Sequence, residues 1–274
     1  MRNLIPLFAL AAFSTACFEV EMPKGSDTGD TGAEDSGGGD DTSTPAGTAQ
    51  VRFVNLSSSA SLTMAAIGEG DDTTGYSQDL SPLSGSAFYG VVAGSYDLAV
   101  TNSDGSLAET DGVSLEDGHH YSVAFTPAGT IVVTETDEDG LSSDATRITF
   151  INVQADSNAK GYMGYWVEAD QVWQGSGLMF TLGSDEAYQD DYDYITTAAQ
   201  FEVVFDGLDS LLVDWNAAAY MQVDPGSSVN VYFWTEGDCS FGSSTCQPMI
   251  LGQFADGSTS TVDYTQAPGY GWAG

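Results

Sequence analysis

The residues able to do chemistry fall in a few places. The segment SDEAYQDDYDY carries Asp185, Glu186, Asp190, Asp191 and Asp193, with Tyr188, Tyr192 and Tyr194 between them. In an extended chain alternate residues share a face, so Asp191 and Asp193 point the same way. Carboxylates at this density supply the hard oxygen ligands of a calcium site, with Asp190, Asp191 and Asp193 as candidate ligands, or the acid pair of a glycosidase. A solvated loop is the simpler account. Tyr165, Trp166, Trp173, Tyr192 and Tyr194 form a candidate ligand surface, because exposed aromatic rings give rigid contact area to a sugar or a protein. In a β-sandwich such rings also serve as core or cross-strand partners.

The two histidines, His119 and His120, are adjacent. Neighbours in a strand point to opposite faces, which is poor geometry for one metal. A turn beside Asp117 followed by the start of a strand accounts for them. No Gly-x-Ser-x-Gly elbow stands between a strand and a helix, so nothing marks a serine nucleophile, and no catalytic residue is assigned. Cys239 and Cys246 have six residues between them, rich in Gly and Ser. A metal pair would need a second thiol pair or nearby histidines, which the segment lacks. In an oxidising compartment the two read as a disulfide stapling a hairpin. No cofactor is expected beyond calcium as the one candidate.

The chain holds 40 acidic residues against 5 Lys and Arg, a formal charge of −35. Nucleic acid is excluded as a partner by this balance, since phosphate contacts need basic groups. The charge is spread through the chain and suits a salty exterior, where screening makes it tolerable.

These residues need elements to hold them, and the pattern is one of short strands. Runs of Val, Ile, Phe and Tyr predict strands at residues 51–56, 61–67, 87–91, 94–101, 121–126 and 130–136, separated by Gly, Ser and Asp. No segment sustains an amphipathic helix. The second half begins like the first: VRFVNL at 51–56 matches ITFINV at 148–153, and VSLEDGHHYSVAF at 113–125 matches MQVDPGSSVNVYF at 221–233. Two matches in the same order argue for a duplicated domain. The expected fold is all-β: two tandem immunoglobulin-like β-sandwiches at 50–137 and 147–274, joined by a short acidic link at 138–146. The second copy is longer, with an aromatic-rich insertion around residues 162–194 and further strands near 201–205 and 210–215.

Upstream of the strands, residues 18–49 are dominated by Gly, Ser, Thr and Asp and read as a disordered acidic tether. As a flexible coil it would reach about 30 Å. Residues 1–16 show one positive charge at Arg2, a short apolar core and the small residues Ser14, Thr15 and Ala16 before Cys17. That order is a secretory signal, too short to span a membrane. The Ser14-Thr15-Ala16-Cys17 stretch resembles the bacterial lipoprotein signal, with Ser14 where that family most often has leucine. The resemblance implies acylation of Cys17 and anchoring in a lipid bilayer. Where the host is Gram-negative, Phe18 rather than Asp implies the outer membrane or cell surface.

A second resemblance covers the strands. Residues 51–55, Tyr89 with Ala93-Gly94-Ser95-Tyr96, and Leu115 with Gly118-His119-His120-Tyr121-Ser122-Val123 together resemble the domain of unknown function 4397. The likeness is closer over 50–137 than from 147 onward. It implies a secreted or surface-attached bacterial module, often in tandem, and supplies no catalytic residue. The function expected is a non-catalytic, envelope-anchored protein with a structural or ligand-binding role toward a protein or glycan. A glycan hydrolase using carboxylates of the second domain and a calcium-stabilised adhesion module are the alternatives.

Overall fold

The structure, a computed structural model, describes residues 47–68, 75–155, 157–167, 172–192, 199–205, 215–221, 224–237 and 247–261. Cys17, the tether, Asp193, Tyr194, Cys239 and Cys246 lie outside them. Every regular element among the described residues is a strand.

The first half forms β1 (Thr48–Asn55), β2 (Leu62–Gly68), β3 (Tyr76–Leu80), β4 (Ser84–Gly85), β5 (Tyr89–Val92), β6 (Gly94–Asn102), β7 (Gly105–Leu115), β8 (His120–Phe125) and β9 (Ile131–Thr136). The second half forms β10 (Thr146–Asn152), β11 (Ala159–Val167), β12 (Val172–Leu182), β13 (Ala187–Tyr192), β14 (Ala199–Phe205), β15 (Trp215–Met221), β16 (Ser228–Glu236), β17 (Gln247–Phe254) and β18 (Thr259–Thr261). Four sheets result. The first half gives β4-β1-β8-β9, with β5 also on β1, and β3-β2-β6-β7. The second half gives β13-β10-β16-β17-β18 and β12-β11-β14-β15. The two orders correspond at seven strands, β1/β10, β2/β11, β3/β12, β6/β14, β7/β15, β8/β16 and β9/β17, with one parallel pair in each half among the described residues, β1 with β8 and β10 with β16; β13 stands where β4 and β5 do, and β18 has no described counterpart. The chain is thus all-β, with two tandem immunoglobulin-like sandwiches.

Alternation fixes which residues meet inside each sandwich. Val51, Phe53, Tyr121 and Val123 face the first core with Leu62, Met64, Leu98 and Val100. Ile148, Phe150, Val229, Val231 and Phe233 fill the second with Phe180, Leu182 and Val203. The other faces of these central sheets are covered as well. All seven residues of β10 are buried, and a third apolar cluster joins Val54, Leu56, Ala124 and Val132 to Ile151, Val153, Tyr232, Trp234 and Leu251. The central sheets of the two halves therefore pack on each other, and the strands described belong to one compact unit.

One asparagine does the same job in each half. Asn55 Nδ2 donates to Ala60 O at 2.8 Å and Ser81 O at 3.0 Å, and its Oδ1 accepts from Ser57 N at 2.9 Å. Asn152 Nδ2 donates to Ser157 O at 2.8 Å and Gly183 O at 2.9 Å, and its Oδ1 accepts from Gln154 N at 3.1 Å. Each side chain ties the exit of the first strand to the connection five residues on and to a later turn. It adds a buried donor to carbonyls at the strand exit, sharing Ser81 O with Ser84 Oγ and Gly183 O with Glu186 N.

The six predicted strands correspond to β1, β2, β5, β6, β8 and β9, with ends shifted by up to three residues. The predicted turn before residue 121 is also present: Gly118 takes φ 78° and His119 N donates to Glu116 O. β7 was not predicted. It is an edge strand of GSLAETDGVSL, exposed along most of its length, so charge and glycine stand where a central strand would be apolar. Two expectations for the second half are corrected. Residues 162–192 are not an insertion, since β11 and β12 match β2 and β3, and β13 takes the place of β4 and β5 beside the first strand; β12 is the longer member of its pair, eleven residues against five in β3. The segment Ala187–Tyr192 is a strand rather than a loop, paired to β10 from Thr146↔Tyr192 to Ile151↔Ala187.

Candidate functional site

The structure places the acidic candidates by β13. Asp190 and Asp191 are neighbours in that strand, so their side chains leave on opposite faces. Asp191 is taken by Arg147: Nε donates to Oδ1 at 2.7 Å and Nη2 to Oδ2 at 2.9 Å. This fork geometry is the strong form of a carboxylate pair. The bond to Arg147 is the main cause holding the Asp191 carboxyl below its usual pKa. The other arm, Arg147 Nη1, donates to Asp137 O at 2.7 Å and Asp139 O at 2.8 Å, so one guanidinium pins the strap between the sandwiches to β13. Asp190 Oδ2 accepts from Tyr188 Oη at 3.0 Å. Among the described residues no three His, Cys, Asp or Glu side chains form a metal-ligand group. Asp190 and Asp191 thus do not converge, and Asp193 lies outside the described residues.

The aromatic candidates divide. Trp166 and Trp173 are register partners across the β11–β12 pair, and Tyr165 pairs with Gln174. Tyr192 is not part of an open surface: it packs against the second core with its hydroxyl buried, and burial drives its phenol pKa strongly upward. Alternation carries Tyr188 and Tyr192 to the same inward face, which explains both.

His119 and His120 also separate. His119 is exposed in the turn, with Nδ1 2.7 Å from Glu135 Oε1, and the hydrogen bond to that carboxylate raises its pKa. His120 opens β8 and meets the edge of Phe88 at 5.1 Å. Asp117 caps the same turn by accepting from Thr48 N at 2.8 Å.

The described surface offers a shallow open groove of about 350 Å³ at one end of the first sandwich, lined by Ser61, Thr63, Asp79, Ser81, Asn102 and Ser103 over Leu62 and Leu80. Thr63 Oγ1 donates to Asp79 Oδ1 at 2.6 Å. The groove holds one carboxylate, so it lacks the pair that acid–base glycoside cleavage uses. Hydroxyls, an amide and one carboxylate suit hydrogen bonding to a polar ligand. Sequence reasoning missed this groove, because its lining comes from three separate connections and no local spacing marks it.

It also missed the most concentrated polar chemistry, which lies between the sandwiches. Arg52 is fully buried. Its Nε donates to Ser122 Oγ at 2.8 Å, its Nη1 to Phe254 O at 3.2 Å, and its guanidinium sits 4.3 Å over the Phe88 ring. Glu138 lies 3.9 Å from Nη2. Burial lowers the Arg52 pKa, opposed by Tyr232 and Glu138. From the other side Asn230 Nδ2 donates to Ser122 Oγ at 2.8 Å and Tyr232 Oη donates to Gln253 Oε1 at 3.2 Å. Gln253 Nε2 then donates across to Phe53 O at 2.9 Å and Ser86 O at 3.2 Å. The signal available in the sequence was the single charged position inside the VRFVN motif.

No protein-family model matches the chain, and no curated protein sequence matches it. Among solved structures, it is similar to the tip fimbrial protein Mfa3 from Porphyromonas gingivalis with C-terminal truncation, at 8% identity and a TM-score of 0.21, covering 74% of this chain and 99% of that one. It is also similar to CBMbc, of family CBM26, from Eubacterium rectale Amy13K in complex with maltoheptaose, at 13% identity and a TM-score of 0.20, covering 73% and 95%.

Proposed function

We propose that this chain is a non-catalytic, envelope-anchored surface lipoprotein with a structural or ligand-binding role toward a protein or a glycan. An acylated Cys17 holds it in the outer membrane or at the cell surface. The acidic segment that follows spaces it from the bilayer, and the double sandwich is the delivered part. The observation that carries this is the order of segments: a signal ending at a cysteine, a polar acidic stretch with no core-forming residues beyond its first few, and strands beginning at Thr48. Several acyl chains make such an anchor stable, at about 0.8 kcal/mol per buried methylene. The buried charges of the described fold act as fasteners: Arg52 and Arg147 hold the two halves and the strap together. Chemistry toward a ligand is left to the surface.

The test is expression of the full chain and of Cys17→Ala in a Gram-negative host, with membrane fractionation and mass spectrometry of the mature N-terminus. The wild type should sediment with membrane and carry acyl mass on Cys17, and the variant should be released. An unmodified Cys17 in a mature, membrane-free protein overturns the anchor.

A further inference from the structure

Both walls of the groove at the end of the first sandwich are tied to one buried side chain. Asn55 Nδ2 donates to Ala60 O, beside Ser61, and to Ser81 O, and Ser61 and Ser81 both line the groove. The lining is thus set in place before a ligand arrives, which lowers the ordering cost of binding. Its volume of about 350 Å³ falls at the lower end of the range for small-molecule sites, roughly 300–1,000 Å³.

Two lining side chains are each held by one atom and offer the other. Thr63 Oγ1 donates to Asp79 Oδ1 at 2.6 Å, which leaves Asp79 Oδ2 as an acceptor. Asn102 Oδ1 accepts from Asp104 N at 2.8 Å, which fixes the amide and leaves Nδ2 as a donor. A fixed donor and a fixed acceptor, with serine hydroxyls around them, match a ligand whose own groups both donate and accept, as hydroxyls do. Other ligand classes fit poorly. No Lys or Arg lines the groove and the chain carries a charge of −35, so phosphates and uronates are repelled. Calcium takes roughly 6–8 oxygen ligands, and the groove has one carboxylate. An apolar ligand would leave the polar lining unpaired.

The second sandwich keeps the tie and not the lining. Asn152 repeats the bonds of Asn55, but strand register puts Lys160 and Thr181 where the first half has Thr63 and Asp79. The fold therefore does not need the Thr63–Asp79 pair, and its presence in one half calls for another reason. Position supplies one. β1 begins at Thr48, where the acidic segment joins, and runs to Asn55, so the groove lies at the end away from that segment, about 25 Å on at roughly 3.3 Å per residue.

We infer that this groove binds a neutral carbohydrate, with Asp79 Oδ2 accepting from one sugar hydroxyl and Asn102 Nδ2 donating to another. The inference rests on the ligand-binding reading above, names its site and ligand class, and does not require an acylated Cys17.

The full chain in mild detergent is screened on arrayed neutral oligosaccharides, uronic-acid oligosaccharides and peptides, and hits are measured by titration calorimetry. A neutral oligosaccharide should bind. Asp79→Ala and Asn102→Ala should each weaken it at least tenfold, while Glu116→Gln, in the turn beside Thr48, leaves it unchanged. Circular dichroism melts separate lost binding from lost fold; should Asp79→Ala unfold, Asp79→Asn keeps the shape and is read the same way. Binding that survives both groove variants puts the carbohydrate elsewhere and overturns this site, leaving the ligand-binding reading intact. Binding of uronates or peptides alone overturns the ligand class, and binding of no probe overturns the proposal. Failure of the anchor is read separately, from an unacylated Cys17.

Discussion

Asn152→Ala isolates the strand-exit tie. The side chain is fully buried and holds Ser157 O at 2.8 Å, Gly183 O at 2.9 Å and, at a longer 3.4 Å, Leu182 O; it accepts from Gln154 N. Alanine removes every one of these bonds. Each bond of this kind contributes roughly 0.5–1.5 kcal/mol net. Two short bonds to carbonyls are lost outright, and the Gln154 N–H lies nearer the surface. A loss of about 3 kcal/mol is therefore expected, or about 6–12 °C in Tm for a unit of this size. Asn55 is the internal control. It holds two carbonyls rather than three, in surroundings that are partly buried, so Asn55→Ala should cost about 2 kcal/mol by the same reasoning. Asn152→Asp should be worse than Asn152→Ala, because a carboxylate has no donor and would face the same carbonyls with a negative charge. Urea unfolding followed by tryptophan fluorescence gives all three values. Losses below about 1 kcal/mol for both alanine variants would mean that water replaces the amide at these turns, and the argument from buried carbonyls would be refuted.

Asp191 has a depressed pKa, so its contribution to stability is present above the ordinary carboxyl pKa and is lost as pH falls through the lower, folded value. Asp191→Asn should therefore flatten the acid limb of a pH–stability curve and leave neutral-pH folding in place; an unchanged acid limb would refute the pairing. His119 runs the other way. Its folded pKa is raised, so its contribution is present below the ordinary imidazole value and fades as pH rises through the folded one. Its NMR titration midpoint should lie above that of a free imidazole and fall back in Glu135→Gln. Gly257 has φ 85°, and a Cβ there would lie 2.2 Å from Ala87 N in the first sandwich. Gly257→Ala should destabilise by about 2 kcal/mol or more from backbone strain alone, visible in a thermal melt. Cys239 and Cys246 should give no free-thiol signal in non-reducing mass spectrometry of secreted protein.

The duplication was legible because the core tolerates little variation. Phe53 and Phe150, Val123 and Val231, and Phe125 and Phe233 are each buried at equivalent positions, so the same letters recur. The tying asparagine was legible for the same reason: Asn55 and Asn152 each face fixed carbonyls. Edge elements were not. β7 and β13 carry glycine or acid on their open sides, and residues 184–192 read as loop because none of them is fully buried. Arg147, which takes up one of those acids, lies 44 residues away in sequence. Long-range pairing of this kind leaves no local spacing to read.

The contact between the sandwiches did leave a trace, in the form of a broken rule. A sheet with one wet face alternates apolar and polar residues, and a run apolar on both faces belongs in a sheet covered on both sides. Ile148 to Val153 and Val229 to Trp234 hold few polar residues, and those present, Thr149, Asn152 and Asn230, are all buried. In a chain of short, largely antiparallel strands, such runs mean that something lies against the outer face of the sandwich. The first half has the matching run, Val51 to Leu56, in which the one charge, Arg52, is fully buried. Two halves that each need a cover, and that descend from one sequence, are each other's simplest cover. The polar residues within these runs are satisfied across that contact, Arg52 by Phe254 O and Asn230 by Ser122 Oγ, as buried polar groups require. Arg52 stands where the second copy has Thr149, Ser122 where it has Asn230 and Ala124 where it has Tyr232, so the two faces meet as unlike surfaces.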